Sequence, residues 1–281
     1  MPQGAESDVN SVSVTNDFLQ FTLSANPIES SVLGISVFDL TDFSLFDPAI
    51  SSTEAWKQIE HGVIQLGAHA QGMALVQCRH RVDQKLTLEF LQDVGFQFRE
   101  LTQHPVLLRD ASVKRSLSEF GSLFEYQEVQ DQAQLNSLAT GYMNSFGIGR
   151  FQGDSKVSHE TIARRFRSWI LSSQQSKNRK LISINDLFGN NVGIFLLRLE
   201  NDGRIFWELT AINNALTSQG LAKKVFAFMT HRSLQIGHSI ETNFSSENVK
   251  LFKIYLDLGF SLGTPSLAMH RWFYHRNYSE S

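Results

Sequence analysis

ENVKLFKIYLDLGF, residues 247–260, and FLQDVGF, residues 90–96, end on the same Gly-Phe pair, 164 positions apart. In the later stretch Leu251, Ile254 and Leu258 recur at helical spacing, Gly259 is a helix stop, and Phe260 opens a return strand. Asn248 and Tyr255 are seven residues apart, which puts them on one helix face two turns along. From that face both can reach a cleft above a sheet; a surface Asn and a half-buried Tyr are the plainer reading. Aligning the two Gly-Phe pairs sets Gln84 against Asn248 and Leu91 against Tyr255. The first copy therefore has the outline of the second without the residues that would do chemistry, unless the short pattern recurs by chance.

Upstream of the second copy lies WELTAINNALTSQGLAKK, residues 207–224. A strand runs to Ile212, a short loop follows, and Gly220 opens a helix. A helix start exposes N–H groups without partners and carries partial positive charge. With no Cβ at Gly220, a small Ala222, and Lys223 and Lys224 close behind, a diphosphate is a reasonable ligand. A plain strand–loop–helix connection reads the same way.

The remaining pattern is mixed. FLQFTLSA (18–25) alternates as a strand, residues 52–70 read as a helix capped at Ser52 or Thr53, and 72–79, 84–96 and 97–110 read as strand, helix and return strand. Helices follow at 132–145 and 158–175, the latter capped by Ser158. Three strands (180–186, 192–200 and 204–212) are joined by turns at Gly189-Asn190-Asn191 and Asn201-Asp202-Gly203. A helix to Gln235, a strand at 238–244, the helix of the opening stretch and a strand at 266–275 complete the chain. We expect a flexible tail over 1–17, an N-terminal α/β domain over 18–127 and a catalytic domain over 128–281.

Together the two stretches resemble the GNAT superfamily of acyl-CoA-dependent N-acyltransferases. Its cofactor motif, Gln/Arg-x-x-Gly-x-Gly/Ala, falls on Thr217-Ser218-Gln219-Gly220-Leu221-Ala222, with Thr217 departing from the first position. Its later motif matches at Asn248, Tyr255, Gly259 and Phe260. The resemblance implies an α/β (α+β) GNAT fold: a mixed, mostly antiparallel sheet flanked by helices, here with an N-terminal degenerate GNAT-like half. It implies acetyl-CoA as co-substrate, bound by Thr210, Ala211, Ile212, Thr217, Gln219, Gly220, Leu221, Ala222, Lys223 and Asn248. The pantetheine arm would lie where the strand at Leu209–Ile212 splays from that at Glu241–Phe244, with a β-bulge expected near Thr210–Ala211. Tyr255 is the implied general acid and Glu208 a candidate base, with His231 and His238 as alternatives. Arg150, Phe151, Asp154 and the helix carrying Trp169 give a narrower resemblance to bacterial nucleotide-sugar N-acetyltransferases of the dTDP-fucosamine (dTDP-4-amino-4,6-dideoxygalactose) type.

The expected reaction is acetyl transfer to a primary amine of a small acceptor, such as a nucleotide-linked 4-amino sugar. An amino acid, polyamine, drug or protein amine as acceptor, or a non-catalytic acyl-CoA-binding protein, fits the same residues. Net charge of -3 gives no basic excess for nucleic acid, and no apolar run is long enough for a membrane span. With one cysteine, Cys78, no internal disulfide can form, and a cytoplasmic monomer or homodimer is expected. No His or carboxylate pair has metal-ligand spacing.

Overall fold

The computed structural model describes residues 10–47, 50–66, 73–110, 118–213 and 220–274. Contacts divide the chain into two compact units, Met1–Glu100 with Ser266–Ser281, and Leu101–Pro265.

The first unit begins with β1 (Ser11–Thr15), β2 (Leu19–Ala25), α1 (Pro27–Leu33), β3 (Ser36–Leu45), α2 (Ser52–Gln65), β4 (Met73–Arg81), α3 (Lys85–Asp93) and the start of β5 (Gln97–Gln103). The second carries β6 (Pro105–Leu108), β7 (Glu125–Glu128), α4 (Gln132–Tyr142), α5 (His159–Leu171), β8 (Arg179–Asn185), β9 (Asn191–Leu199) and β10 (Arg204–Ile212). It continues with α6 (Leu221–Ile236), β11 (Ser239–Thr242), β12 (Phe244–Ser245), α7 (Val249–Asp257) and β13 (Ser261–Leu262). The last strand, β14 (Ser266–Tyr274), returns to the first unit.

In the first unit the strand order is β1-β2-β3-β4-β14-β5. β3 and β4 are parallel, and β14 runs antiparallel to β4 from Ser266↔Arg81 to Tyr274↔Met73. Alternation along β2 buries Leu19, Phe21 and Leu23. They pack with Ala55, Ile59 and Val63, which fall at four-residue spacing on α2. The expected tail is not wholly a tail: Ser11–Thr15 pair antiparallel with Thr15↔Gln20 through Ser11↔Ser24. Val12 and Val14 are half-buried between exposed Ser11, Ser13 and Thr15, so the strand's two-residue alternation was present in the sequence but short and set among small polar residues.

In the second unit the order is β13-β6-β11-β10-β9-β8-β7, antiparallel except for β10 beside β11. Gly189 (φ +83) and Gly203 (φ +84) turn the hairpins. The core gathers Phe195, Trp207, Phe226, Phe228, Tyr255 and Phe260 from strands and helices alike. Trp207 Nε1 donates to Ser233 Oγ at 3.1 Å, so its one polar atom is satisfied within that core.

A single cut at 127/128 does not describe these units. The segment expected as one return strand at 97–110 breaks at His104, and β6 pairs with β11 through Leu108↔Ser239 to Val106↔Glu241. β14, expected in the C-terminal domain, pairs with β4 instead. The first unit is completed by a strand remote from the rest of it in sequence, which local pattern cannot signal.

The paired Gly-Phe stretches are the same structural device. Gly95 (φ +100) and Gly259 (φ +85) are left-handed stops. Phe96 N donates to Leu91 O (2.9 Å) and Phe260 N to Tyr255 O (3.0 Å), the six-to-one bond of a Schellman end. Gln84 and Asn248 stand at the matching helix starts. Both helices follow a strand that is parallel to a bulged one, so the likeness extends beyond the Gly-Phe pair.

Ending the chain after Pro265 removes a central strand from the first sheet. Amides of Met73–Arg81 should then lose most of their protection from hydrogen exchange; full protection would contradict the pairing. Burial pushes Tyr126 and Tyr142 up to about 12 from 10.0. The folded state thus holds these protons more tightly than the unfolded chain, so the stability they contribute is complete below pH 10 and is lost as pH rises toward about 12. The ring signals of Tyr126 and Tyr142, assigned by replacing each with Phe, should titrate together with loss of circular dichroism over that interval; ionisation of these two near pH 10 with structure intact would contradict it.

Candidate active site

β10 and β11 pair from Arg204↔Ser239 to Trp207↔Thr242 and then part. On its other edge β10 passes from Trp207↔Leu197 to Leu209↔Leu196, leaving Glu208 as an extra residue. The bulge therefore lies at Glu208, ahead of the expected Thr210–Ala211, and the twist it adds carries the two strands apart. β11 stops at Thr242, and β12 pairs with β5 through Phe244↔Gln103 and Ser245↔Thr102. Leu209–Ile212 keep β9 on one edge and, among the described residues, have no strand on the other.

Tyr255 stands where the strands separate. Thr242 and Thr210, one residue from each parting strand, are the side chains that act on its hydroxyl. Its ring lies 4.9 Å from Phe260, 5.2 Å from Phe244 and 5.7 Å from Phe226 between centroids. Burial pushes the phenol well above its ordinary value, with Thr242 and Thr210 opposing that, so it keeps its proton at neutral pH. Thr242 was not singled out from sequence. Its Oγ1 also donates to Trp207 O at 2.9 Å, tying the last paired residues together.

The helix start is equally specific. Gly220 caps α6 at φ +67, and among the described residues no side chain caps that end. A Cβ at Gly220 would meet no described atom within 4 Å, so the backbone conformation, not crowding, calls for glycine. Leu221 and Ala222 pack against the core, whereas Lys223 Nζ reaches Asp257 Oδ2 on α7 at 2.8 Å. Lys224 is exposed. Thr217 and Gln219 lie outside the described residues. Asn248 is the N-cap of α7, and its Oδ1 accepts from Leu251 N at 3.1 Å.

The other expected site residues are engaged elsewhere. Glu208 lies 2.6 Å from Arg179 Nη2 and 3.6 Å from Arg198 Nη1, each carboxylate oxygen facing a guanidinium. That pairing does not suit the proton-accepting role expected of it. Phe151 and Asp154 are 2% and 1% exposed. The guanidiniums of Arg150 and Arg165 lie 4.9 and 5.0 Å from the Phe151 ring, and Asp154 Oδ1 accepts from Lys156 N at 3.2 Å. Two of these three residues thus help build the turn before α5. His231 lies within α6, and His238 precedes β11 at the end remote from Thr242. His104 Nδ1 and Asn243 Oδ1 meet at 2.6 Å where β5 and β11 end, a contact between residues 139 apart. Among the described residues no three His, Cys, Asp or Glu side chains are grouped to hold a metal, and no helix is long and apolar enough to cross a membrane.

No protein-family model and no curated protein sequence matches the chain. Its fold is nonetheless similar to solved structures along most of its length. A GCN5-related N-acetyltransferase from Sphaerobacter thermophilus superposes with a TM-score of 0.60 at 11% identity, covering 91% of this chain and 77% of that one. A GCN5-related N-acetyltransferase from Kribbella flavida gives 0.58 at 11% identity, covering 93% and 89%. A tandem GNAT protein from the clavulanic acid biosynthesis pathway gives 0.55 at 9% identity, covering 94% and 83%. Identities this low speak to architecture alone. The chain has the GNAT fold, a mixed and mostly antiparallel sheet flanked by helices.

Proposed function

We propose that the second unit is an acetyl-CoA-dependent N-acetyltransferase acting on a primary amine of a small acceptor. The observation that carries this reading is the parting of β10 from β11 with the Tyr255 phenol between Thr210 and Thr242. Among the described residues, a strand edge without a neighbour and a helix start without a side-chain cap flank the β10–α6 connection, and both offer backbone donors to an elongated anionic ligand.

Acetyl-CoA would supply a thioester as acyl donor. The first-turn N–H groups of α6 would hold its diphosphate, with Gly220 giving the chain its left-handed entry. The Leu209–Ile212 edge, through Thr210, Ala211 and Ile212, would take up the pantetheine amides. A preorganised N–H on that edge would stabilise the developing oxyanion, an effect typically of about 3 kcal/mol in acyl transfer. Tyr255 would give its proton to the departing sulfur. Holding amine and thioester together would provide most of the remaining acceleration.

The first unit is proposed to be non-catalytic. Its equivalent helix, α2, is closed by Ser51 Oγ accepting from Glu54 N at 3.1 Å, and Glu54 places negative charge in the first turn. Leu91 stands where Tyr255 stands. We propose a nucleotide-linked 4-amino sugar as the acceptor to test first. Its support is the sequence resemblance around Arg150; buried Phe151 and Asp154 would act by shaping the turn.

Calorimetry with acetyl-CoA should show saturable binding, and thiol release should accompany mixing with an acceptor amine. Tyr255→Phe should cut turnover about 100-fold or more while affinity for acetyl-CoA stays within about threefold. Absence of binding to the folded wild-type protein would sink the reading; undiminished turnover in the variant would remove Tyr255 as the acid.

A further inference from the structure

The bulge changes which way the residues after it point. Before it, Phe206 stands opposite Arg198 and Trp207 opposite Leu197; after it, Leu209 stands opposite Leu196 and Thr210 opposite Phe195. Directly opposed residues share a face, and so do alternate residues along β9. Trp207 and Thr210 are therefore on one face with Leu197 and Phe195, and Phe206 and Leu209 on the other with Arg198 and Leu196. In an unbroken strand Thr210 would lie on the face of Phe206, away from Trp207. The Trp207 ring lies 6.4 Å from that of Tyr255, and Thr210 is one of the two side chains that act on the Tyr255 hydroxyl. The extra residue is what turns Thr210 to the phenol.

Two anchors fix the bulge where it is. Trp207 Nε1 donates to Ser233 Oγ at 3.1 Å, and Trp207 O accepts from Thr242 Oγ1 at 2.9 Å. Glu208 is held by ion pairs to both neighbouring strands of the hairpins: Oε2 lies 2.6 Å from Arg179 Nη2 on β8, and Oε1 lies 3.6 Å from Arg198 Nη1 on β9. The two arginines stand directly opposite each other across β8 and β9. Each is itself placed. Arg179 Nη1 donates to Ser172 Oγ at 3.2 Å, while Arg198 Nε lies 2.7 Å from Glu200 Oε1 and its Cζ lies 5.0 Å from the Phe206 ring centroid. The Glu208 side chain is only 6% exposed. Sliding the bulge by one residue would take this carboxylate from its cations and leave charge unpaired in a buried place, which is how a buried ion pair specifies register.

We propose that Glu208 is a positioning residue for acetyl transfer: gripped by Arg179 and Arg198, it fixes the register of the bulge, and that register turns Thr210 toward Tyr255 and presents the Leu209–Ile212 edge to acetyl-CoA. This rests on the acetyltransferase reading above. Glu208 touches neither the thioester nor the amine in this scheme and accepts no proton; it acts through Thr210 and the strand edge.

Isotope-labelled tyrosine in the full chain reads the register without any ligand, with Tyr255→Phe identifying the signal. Glu208→Gln should move the Tyr255 ring signals in the direction that Thr210→Val moves them, and leave those of Tyr126 and Tyr142 in place. Calorimetry should find the affinity for acetyl-CoA about tenfold or more below wild type in Glu208→Gln and in Arg179→Gln, and the double variant no weaker than the weaker single, because the two act as a pair. Arg179→Lys keeps the charge and loses the planar fork; it takes the place of Glu208→Gln where that variant does not fold, with the same signs and an affinity loss of about threefold. A general base would behave otherwise, losing turnover while the Tyr255 signals and the affinity stay as they were. Unmoved Tyr255 signals, or undiminished affinity for acetyl-CoA, in the folded variant would each overturn the proposal and leave the acetyltransferase reading standing. No binding of acetyl-CoA to wild type would remove that reading, and this proposal with it.

Discussion

One extra residue in one strand governs the second unit. Glu208 has no partner across β9, and β10 leaves β11 directly after Trp207↔Thr242. Backbone donors and acceptors that lose a neighbouring strand must find water or a ligand, because leaving them buried and unmet costs about 1–3 kcal/mol each. The break therefore leaves backbone groups of Leu209–Ile212 without a strand partner on that edge among the described residues. Thr210 and Thr242 come from its two strands and both act on the Tyr255 hydroxyl, opposing the effect of burial. The aromatic residues beneath keep that phenol where it is, with Phe226, Phe244 and Phe260 packed around its ring.

The first unit shows what the same architecture does without those residues. β3 is bulged against β2 and leaves β4 after Leu40↔Cys78, so a parting of strands exists there too. At the matching places, however, Leu91 has no hydroxyl, and Ser51 and Glu54 occupy the end of α2 that an anion would need. Scaffold and chemistry are thus separable within one chain. Two copies of a strand–helix–strand–helix unit share the Schellman stop at Gly95 and Gly259, yet differ at each position where a thioester would need a partner.

What could be read from sequence was what is encoded locally. The helix ending at Gly259 was legible because its apolar spacing, glycine stop and following Phe lie within one short stretch. The β8–β10 hairpins were legible because Gly189 and Gly203 turn them. The cap role of Asn248 was missed because spacing to Tyr255 suggests a face but does not say where a helix begins. Glu208 looked available because Arg179 and Arg198, which engage it, come from two other strands. His104 and Asn243 are 139 residues apart, and neither lies in a motif. The strand exchange was invisible for the same reason: SLAMHRWFY reads as a strand, and nothing in it names β4 as its partner.

The central claim is that the parted edge of β10 and the start of α6 form one ligand site in the second unit, and that the matching place in the first unit does not. Hydrogen exchange mapped residue by residue with and without coenzyme A tests it most directly. The account predicts slowed exchange at Leu209–Ile212 and at Leu221–Lys223, with Ser52–Glu54 at the start of α2 unchanged. Slowing at α2 instead, or the same exchange everywhere under saturating ligand, would contradict it.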